Sequence, residues 1–153
     1  HPGFQLTYVG KPHLGCDLEP FCQKNGIANA QFRPAFTNDQ KPAIYRGIQL
    51  INCIYGNHNQ VVRLLLPNRL YDCVLFKKPI LVSKGTYLAE IVAQYNLGIA
   101  VDVETEDVVQ AVSSYLEGFD LNAFEQGCRQ FLKRVEQEIA VYNQVLHTFC
   151  GQD

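Results

Sequence analysis

The residues best suited to chemistry lie between Leu66 and Val92, in the stretch LPNRLYDCVLFKKPILVSKGTYLAEIV. Pro67 suits the first position of a helix, where its missing N–H would have no partner in any case. A helix that starts at the carboxyl edge of a sheet turns free backbone N–H groups and a partial positive charge outward, a setting for a phosphate. Asn68 adds an amide donor and Arg69 a forked cationic donor. Asp72, one turn further on, supplies oxygens that accept hydrogen bonds from ribose hydroxyls. Together they form a cradle for a nucleoside diphosphate. Each also has a plainer reading: Asn68 as a helix cap, Arg69 as a solvated charge, Asp72 as the partner of Arg69 on the helix surface.

Other strand ends offer further groups. Gly10 and Lys11 follow one apolar run, and Arg33 ends another just before Pro34. Their plain readings are a strand-to-loop turn and a surface residue. Glu90 either hydrogen-bonds a ligand group or faces water. Lys77-Lys78 reads as a solvated turn. Tyr55 and His58 close the strongest strand but receive no role. His1, His13, His58 and His147 are scattered, so no metal constellation is expected.

The elements that must position these groups alternate between short apolar runs and helix-period stretches. Strands are expected at Leu6 to Val9, Ala30 to Arg33, Ile48 to Tyr55, Pro79 to Val82 and Leu97 to Val101. Asp17 reads as the cap of a helix that Gly26 stops, and Phe36 to Pro42 as a polar connection. Further helices start near Pro67, carry Leu70, Cys73, Val74 and Lys77 on one face, and recur at Leu88 to Tyr95. Thr105 is expected to cap a helix with Val108, Val109, Val112 and Leu116 inward. A long helix from about Ala123 to Phe149, capped by Asn122, carries an apolar stripe from Phe124 to Leu146. Strands joined by helical crossovers imply a doubly wound, mainly parallel α/β sheet, which binds ligands beyond its carboxyl ends.

Composition bounds the alternatives. The 153 residues suit one domain, 1–153, with a core of its own. Lys+Arg is 13 and Asp+Glu 15, a net charge of −2, which argues against a nucleic-acid binder. Apolar residues are 47%, which argues against disorder, and charged residues only 18%, which suggests buried strands or a face covered by something else. No apolar run approaches a membrane span. The six cysteines form no Cys-x-x-Cys pair, and Cys53 and Cys73 read as buried thiols, so a reducing, cytoplasmic setting is expected. The chain starts at His1 and contains no Met, so a fragment or a processed chain is expected.

The Leu66 to Val92 stretch resembles the C-terminal donor-binding half of GT-B glycosyltransferases, enzymes that use nucleotide sugars. The similarity lies in Asn68-Arg69-Leu70-Tyr71-Asp72, then Lys78-Pro79-Ile80-Leu81-Val82-Ser83, then the turn and helix Gly85-Thr86-Tyr87-Leu88-Ala89-Glu90-Ile91-Val92, then the strand Leu97 to Val101. It extends more weakly to Tyr8-Val9-Gly10-Lys11, Asn29 to Phe36 and Tyr45 to Tyr55. The wording is most similar to transferases of bacterial capsular or surface polysaccharides. The resemblance implies a Rossmann-like half of a GT-B fold with a long C-terminal helix, and a donor site drawn from Asn68, Arg69, Asp72, Gly10, Lys11, Arg33 and Glu90. It implies no cofactor and no metal, the nucleotide-diphosphate sugar being a substrate.

Two departures qualify what the resemblance implies. Retaining members often carry two acids eight residues apart; the second falls on Asp72, but the first falls on Leu64. Retention, inversion and the catalytic residues therefore stay open. In addition, His1 lies after the point where the family's half opens, so the first strand of the sheet and the N-terminal acceptor domain are expected to be missing. The partners implied are the nucleotide-sugar donor, a saccharide or lipid-linked acceptor, and that N-terminal domain, with peripheral membrane contact in the whole protein if the acceptor is lipid-linked. An exposed sheet edge or cleft face offers the fragment a route to a homodimer. Two other readings stand beside this one: a sugar-nucleotide 2-epimerase of the same fold, and a non-catalytic binding or assembly domain.

Overall fold

A computed structural model describes residues 3–11 and 18–150. The chain is α/β, with parallel sheets and a long C-terminal helix, and it divides into two compact units, His1–Gly47 and Ile48–Asp153.

In the first unit, β1 (Leu6–Val9) pairs in parallel with β2 (Ala30–Arg33), joined through α1 (Leu18–Lys24). Tyr8 and Phe32 are register partners, and their rings stack 5.2 Å apart. The helix ends as expected at Gly26, whose φ of +66° suits glycine and lets the Ile27 N–H donate to Cys22 O at 2.9 Å. The expected Asp17 cap lies outside the described residues. The segment 36–42 is not simply a polar connection. A 3-10 turn, Asn38–Gln40, runs into α2 (Lys41–Arg46), with Pro42 in its first turn, where proline costs no helical hydrogen bond.

In the second unit, β3 (Ile51–Cys53), β4 (Ile80–Ser83) and β5 (Gly98–Val101) form a parallel sheet in chain order. β4 is central, and all four of its residues are buried, as a strand covered on both faces requires. The connections are α3 (Gln60–Leu64), α4 (Asn68–Leu75) and α5 (Tyr87–Gln94). After β5 come α6 (Val108–Glu117) and α7 (Leu121–Cys150). Leu70, Cys73, Ile80, Val82, Leu88, Val92, Leu97 and Phe124 are core residues. Among the described residues, no helix is long and apolar enough to cross a membrane.

Several boundaries differ from the sequence reading, each for a local reason. The expected strand Ile48 to Tyr55 shrinks to Ile51–Cys53 because side-chain oxygens capture the next backbone donors. Asn52 Oδ1 accepts from Ile54 N–H at 3.2 Å, and Ser83 Oγ accepts from Tyr55 and Gly56 N–H at 3.1 and 2.9 Å. The loop expected at 56–59 leads into α3, which Asn59 caps by accepting from Val61 N–H at 2.8 Å. α4 stops at Leu75, short of Lys77. Lys77 takes a left-handed φ of +50°, and Lys78 N–H closes the end onto Cys73 O at 3.0 Å. Asp107, not Thr105, caps α6, and Asp120, not Asn122, accepts the Ala123 N–H at the start of α7.

Glycine permits two close approaches. A Cβ at Gly127 would overlap the Tyr95 carbonyl oxygen, so glycine there lets α7 lie against the end of α5. A Cβ at Gly98 would overlap the Ile80 carbonyl oxygen.

Candidate functional site

The carboxyl ends of β3 and β4, with the helices that start beside them, form the candidate site of the second unit. α4 begins at this edge because Arg69 ties its first turn to the end of β3. Arg69 Nη1 donates to Asn52 O at 3.1 Å and to the Tyr55 hydroxyl at 3.3 Å, with the guanidinium 5.9 Å from the Tyr55 ring centroid. Pro67, in extended backbone, precedes the helix, and no side chain caps the first-turn N–H groups. A helix start of this kind keeps its partial positive charge for an outside acceptor. Asn68 and Arg69 are both exposed.

α5 starts at the same edge, directly after β4. Thr86 caps it by accepting from Ala89 N–H at 3.1 Å, and its hydroxyl donates back to Ser83 O at 2.8 Å. The turn between them is braced from the side: Asn57 Nδ2 donates to Lys84 O at 3.0 Å, and Lys84 Nζ pairs with Glu106. That lysine, with the Asp102 N–H, holds the Glu106 carboxyl below its ordinary value. Gly56 and Gly85, at φ of +77° and +73°, supply the left-handed turns this edge needs.

Between the two strand ends lies a shallow recess, open to solvent, with room for about one water molecule and lined by Cys53, Tyr55, Gly56, Ser83, Thr86 and Leu88. Burial pushes the Cys53 thiol up, with Arg69 and Tyr55 acting in the opposite sense. Burial, with Cys53 beside it, pushes the Tyr55 hydroxyl up as well. Both groups are therefore held neutral next to the Arg69 cation.

The sequence-derived residues fall into two groups. In the second unit, Asn68, Arg69 and Glu90 stand exposed on the first turns of α4 and α5, at the same sheet edge. Asp72 departs from them. It is 7% exposed, on the inward side of α4 with Leu70 and Cys73, although the i, i+4 spacing places it below Asn68. Leu64, at the position where the resemblance expects an acid, is exposed at the end of α3. In the first unit, the register brings Gly10 and Arg33 together at the carboxyl end of the β1–β2 pair, where Gly10 N–H donates to Arg33 O at 3.2 Å. Lys11 follows, exposed.

Asn52 was not singled out in the sequence, and Ser83 only as the last residue of a motif, yet they organise this edge. Their signal is a small polar residue at each strand end, a type that ends a ladder by taking backbone N–H groups. Among the described residues, no group of three His, Cys, Asp or Glu side chains is placed to hold a metal ion. No family model and no curated protein matches the chain.

Proposed function

We propose that this chain is the nucleotide-sugar-binding part of a glycosyltransferase, with the diphosphate held at the start of α4. The observation that carries the proposal is the uncapped first turn of α4, with Asn68 and Arg69 exposed at the carboxyl edge of a parallel sheet. Transfer of the sugar breaks its bond to the diphosphate, and negative charge grows on the leaving phosphate. A helix terminus and a guanidinium held in place by Asn52 and Tyr55 are suited to offset that charge.

A doubly wound sheet is part of the proposal, supported by the parallel pairing of the strands within each unit, and so is an acceptor that is a saccharide or is lipid-linked.

Within the proposal, Asn68 and Arg69 touch the diphosphate and Glu90 lies at the sugar side. Asp72, buried on the inward side of α4, is left out of these contacts. Leu64 supplies no acid, so the catalytic groups lie elsewhere. Isothermal titration of the chain with UDP, GDP, ADP and CDP tests the proposal. One of them is expected to bind, and Arg69→Ala to weaken it roughly tenfold to a hundredfold, the worth of one charge-assisted hydrogen bond. Binding by none of the four to the folded chain overturns it.

A further inference from the structure

The end of α1 brings together an amide side chain and the backbone nitrogen that can attack it. Asn25 and Gly26 are both exposed, just past the last helical residue, and no other asparagine of this chain precedes a glycine. Glycine puts no side chain over its own N–H. Its chain neighbours apart, nothing lies within 4 Å of where a Cβ would stand on Gly26, so water and base reach that amide. The Gly26 N–H donates to Gln23 O at 3.3 Å, beyond the usual length of such a bond. One contact holds the attack back: Asn25 Nδ2 donates to Phe21 O at 2.7 Å. A single exposed hydrogen bond slows a reaction by about tenfold at most. α1 has seven residues, too few to hold as a helix by itself, so its end opens locally.

We propose that Asn25 is a site of spontaneous deamidation, and that the change opens the end of α1. The inference is independent of the nucleotide-sugar reading. The Gly26 nitrogen gives its proton to base and bonds to Asn25 Cγ. The Cγ–Nδ2 bond breaks, and Nδ2 takes a proton from water and leaves as ammonia. Water then opens the five-membered imide at one carbonyl or the other, giving aspartate or isoaspartate at position 25. Either product is a carboxylate, which cannot donate to Phe21 O and meets the carbonyl end of the helix with like charge. Isoaspartate also adds a carbon to the backbone where Ile27 N–H closes the helix onto Cys22 O at 2.9 Å. Cys22 is the one buried residue among those described in the first unit, so the change falls where the packing of that unit is anchored.

Incubation of the wild-type chain at mildly alkaline pH tests this, with peptide mapping by mass spectrometry and enzymatic detection of isoaspartate at intervals. A short peptide, Gln-Lys-Asn-Gly-Ile-Ala, serves as the unfolded reference. Residue 25 is expected to gain the mass difference between aspartate and asparagine at a rate within about tenfold of the peptide. It is expected to do so ahead of Asn38 and Asn143, which are exposed but precede larger residues. Asn25→Gln, whose longer side chain closes such a ring far more slowly, is expected to abolish the gain. Hydrogen exchange on the converted chain is expected to be faster at the Ile27 amide, with the amides of β4 unchanged. The proposal is overturned if residue 25 lags the peptide by more than that tenfold, or converts no faster than Asn38 and Asn143. It is equally overturned if converted chains keep the Ile27 exchange rate of fresh ones.

Discussion

Ser83→Ala removes a single oxygen, and its cost follows from the structure. Ser83 is buried at the end of β4, and its Oγ accepts from two backbone donors, Tyr55 N–H at 3.1 Å and Gly56 N–H at 2.9 Å. Both donors are only part-buried, so water recovers some of what is lost. A buried donor left without a partner costs about 1–3 kcal/mol, and two partly covered ones together should cost about 2 kcal/mol. A domain of this size unfolds in urea with a slope of about 2 kcal/mol per molar, so the midpoint should fall by about 1 M with the slope unchanged. Urea titration followed by circular dichroism reads this directly. The same oxygen fixes the bend that places Tyr55 under Arg69, so the Tyr55 and Gly56 amides should also exchange faster with solvent. A midpoint within about 0.2 M of wild type would refute the role given to Ser83 in ending β3.

Other consequences are independent of that one. Gly127→Ala should destabilise the fold by about 1–3 kcal/mol in the same titration, because its methyl meets the Tyr95 carbonyl and must push α7 off α5. The depressed Glu106 carboxyl contributes stability that is present above the ordinary value of 4.5 and is lost as pH falls through its lower folded value. Glu106→Gln should therefore flatten the loss of stability between about pH 5 and pH 3, measured by urea midpoints across that window. Burial pushes the Cys53 and Cys73 thiols up, and the Cys128 thiol up to about 11. At pH 8 all three should react with an aromatic disulfide roughly a hundredfold more slowly in the folded chain than in denaturant, as followed by absorbance.

Much of the second unit was legible in the sequence because its elements announce themselves locally. Pro67 before Asn68, Thr86 before Tyr87, and the uninterrupted apolar run of β4 are signals that tertiary packing leaves alone. The short strand β3 was not legible. The pattern from Ile48 to Tyr55 is mostly apolar, and what ends the strand is the Asn52 amide within it and the Ser83 hydroxyl, 28 residues away from Tyr55. α3 was missed although Asn59 is a good cap, because five residues carry too little periodicity to outweigh a loop reading. The caps of α6 and α7 shifted by two residues, since several acceptors stand side by side at each start and only the backbone path selects one.

At the candidate site, residue type was readable but burial was not. Asn68 and Asp72 share a helix face by spacing, yet the first is exposed and the second covered, because the core rises over the second turn of α4. Arg69 read as a phosphate donor or a solvated charge. In the folded chain its Nη1 is already engaged with Asn52 and Tyr55, contacts that depend on the end of β3. The stripe of α7 was visible in full, but not the point at which it leaves the core, which lies just after Val135.

The most direct test is the position at which a nucleoside diphosphate binds. Nitrogen–proton correlation spectra of the labelled chain, recorded while the diphosphate identified by titration is added, report on each amide separately. The amides of Asn68 and Arg69 are predicted to shift most, with Lys84 to Thr86 moving at the same ligand concentration. Saturable shifts confined to residues away from the start of α4, or no shifts at all, would contradict the account.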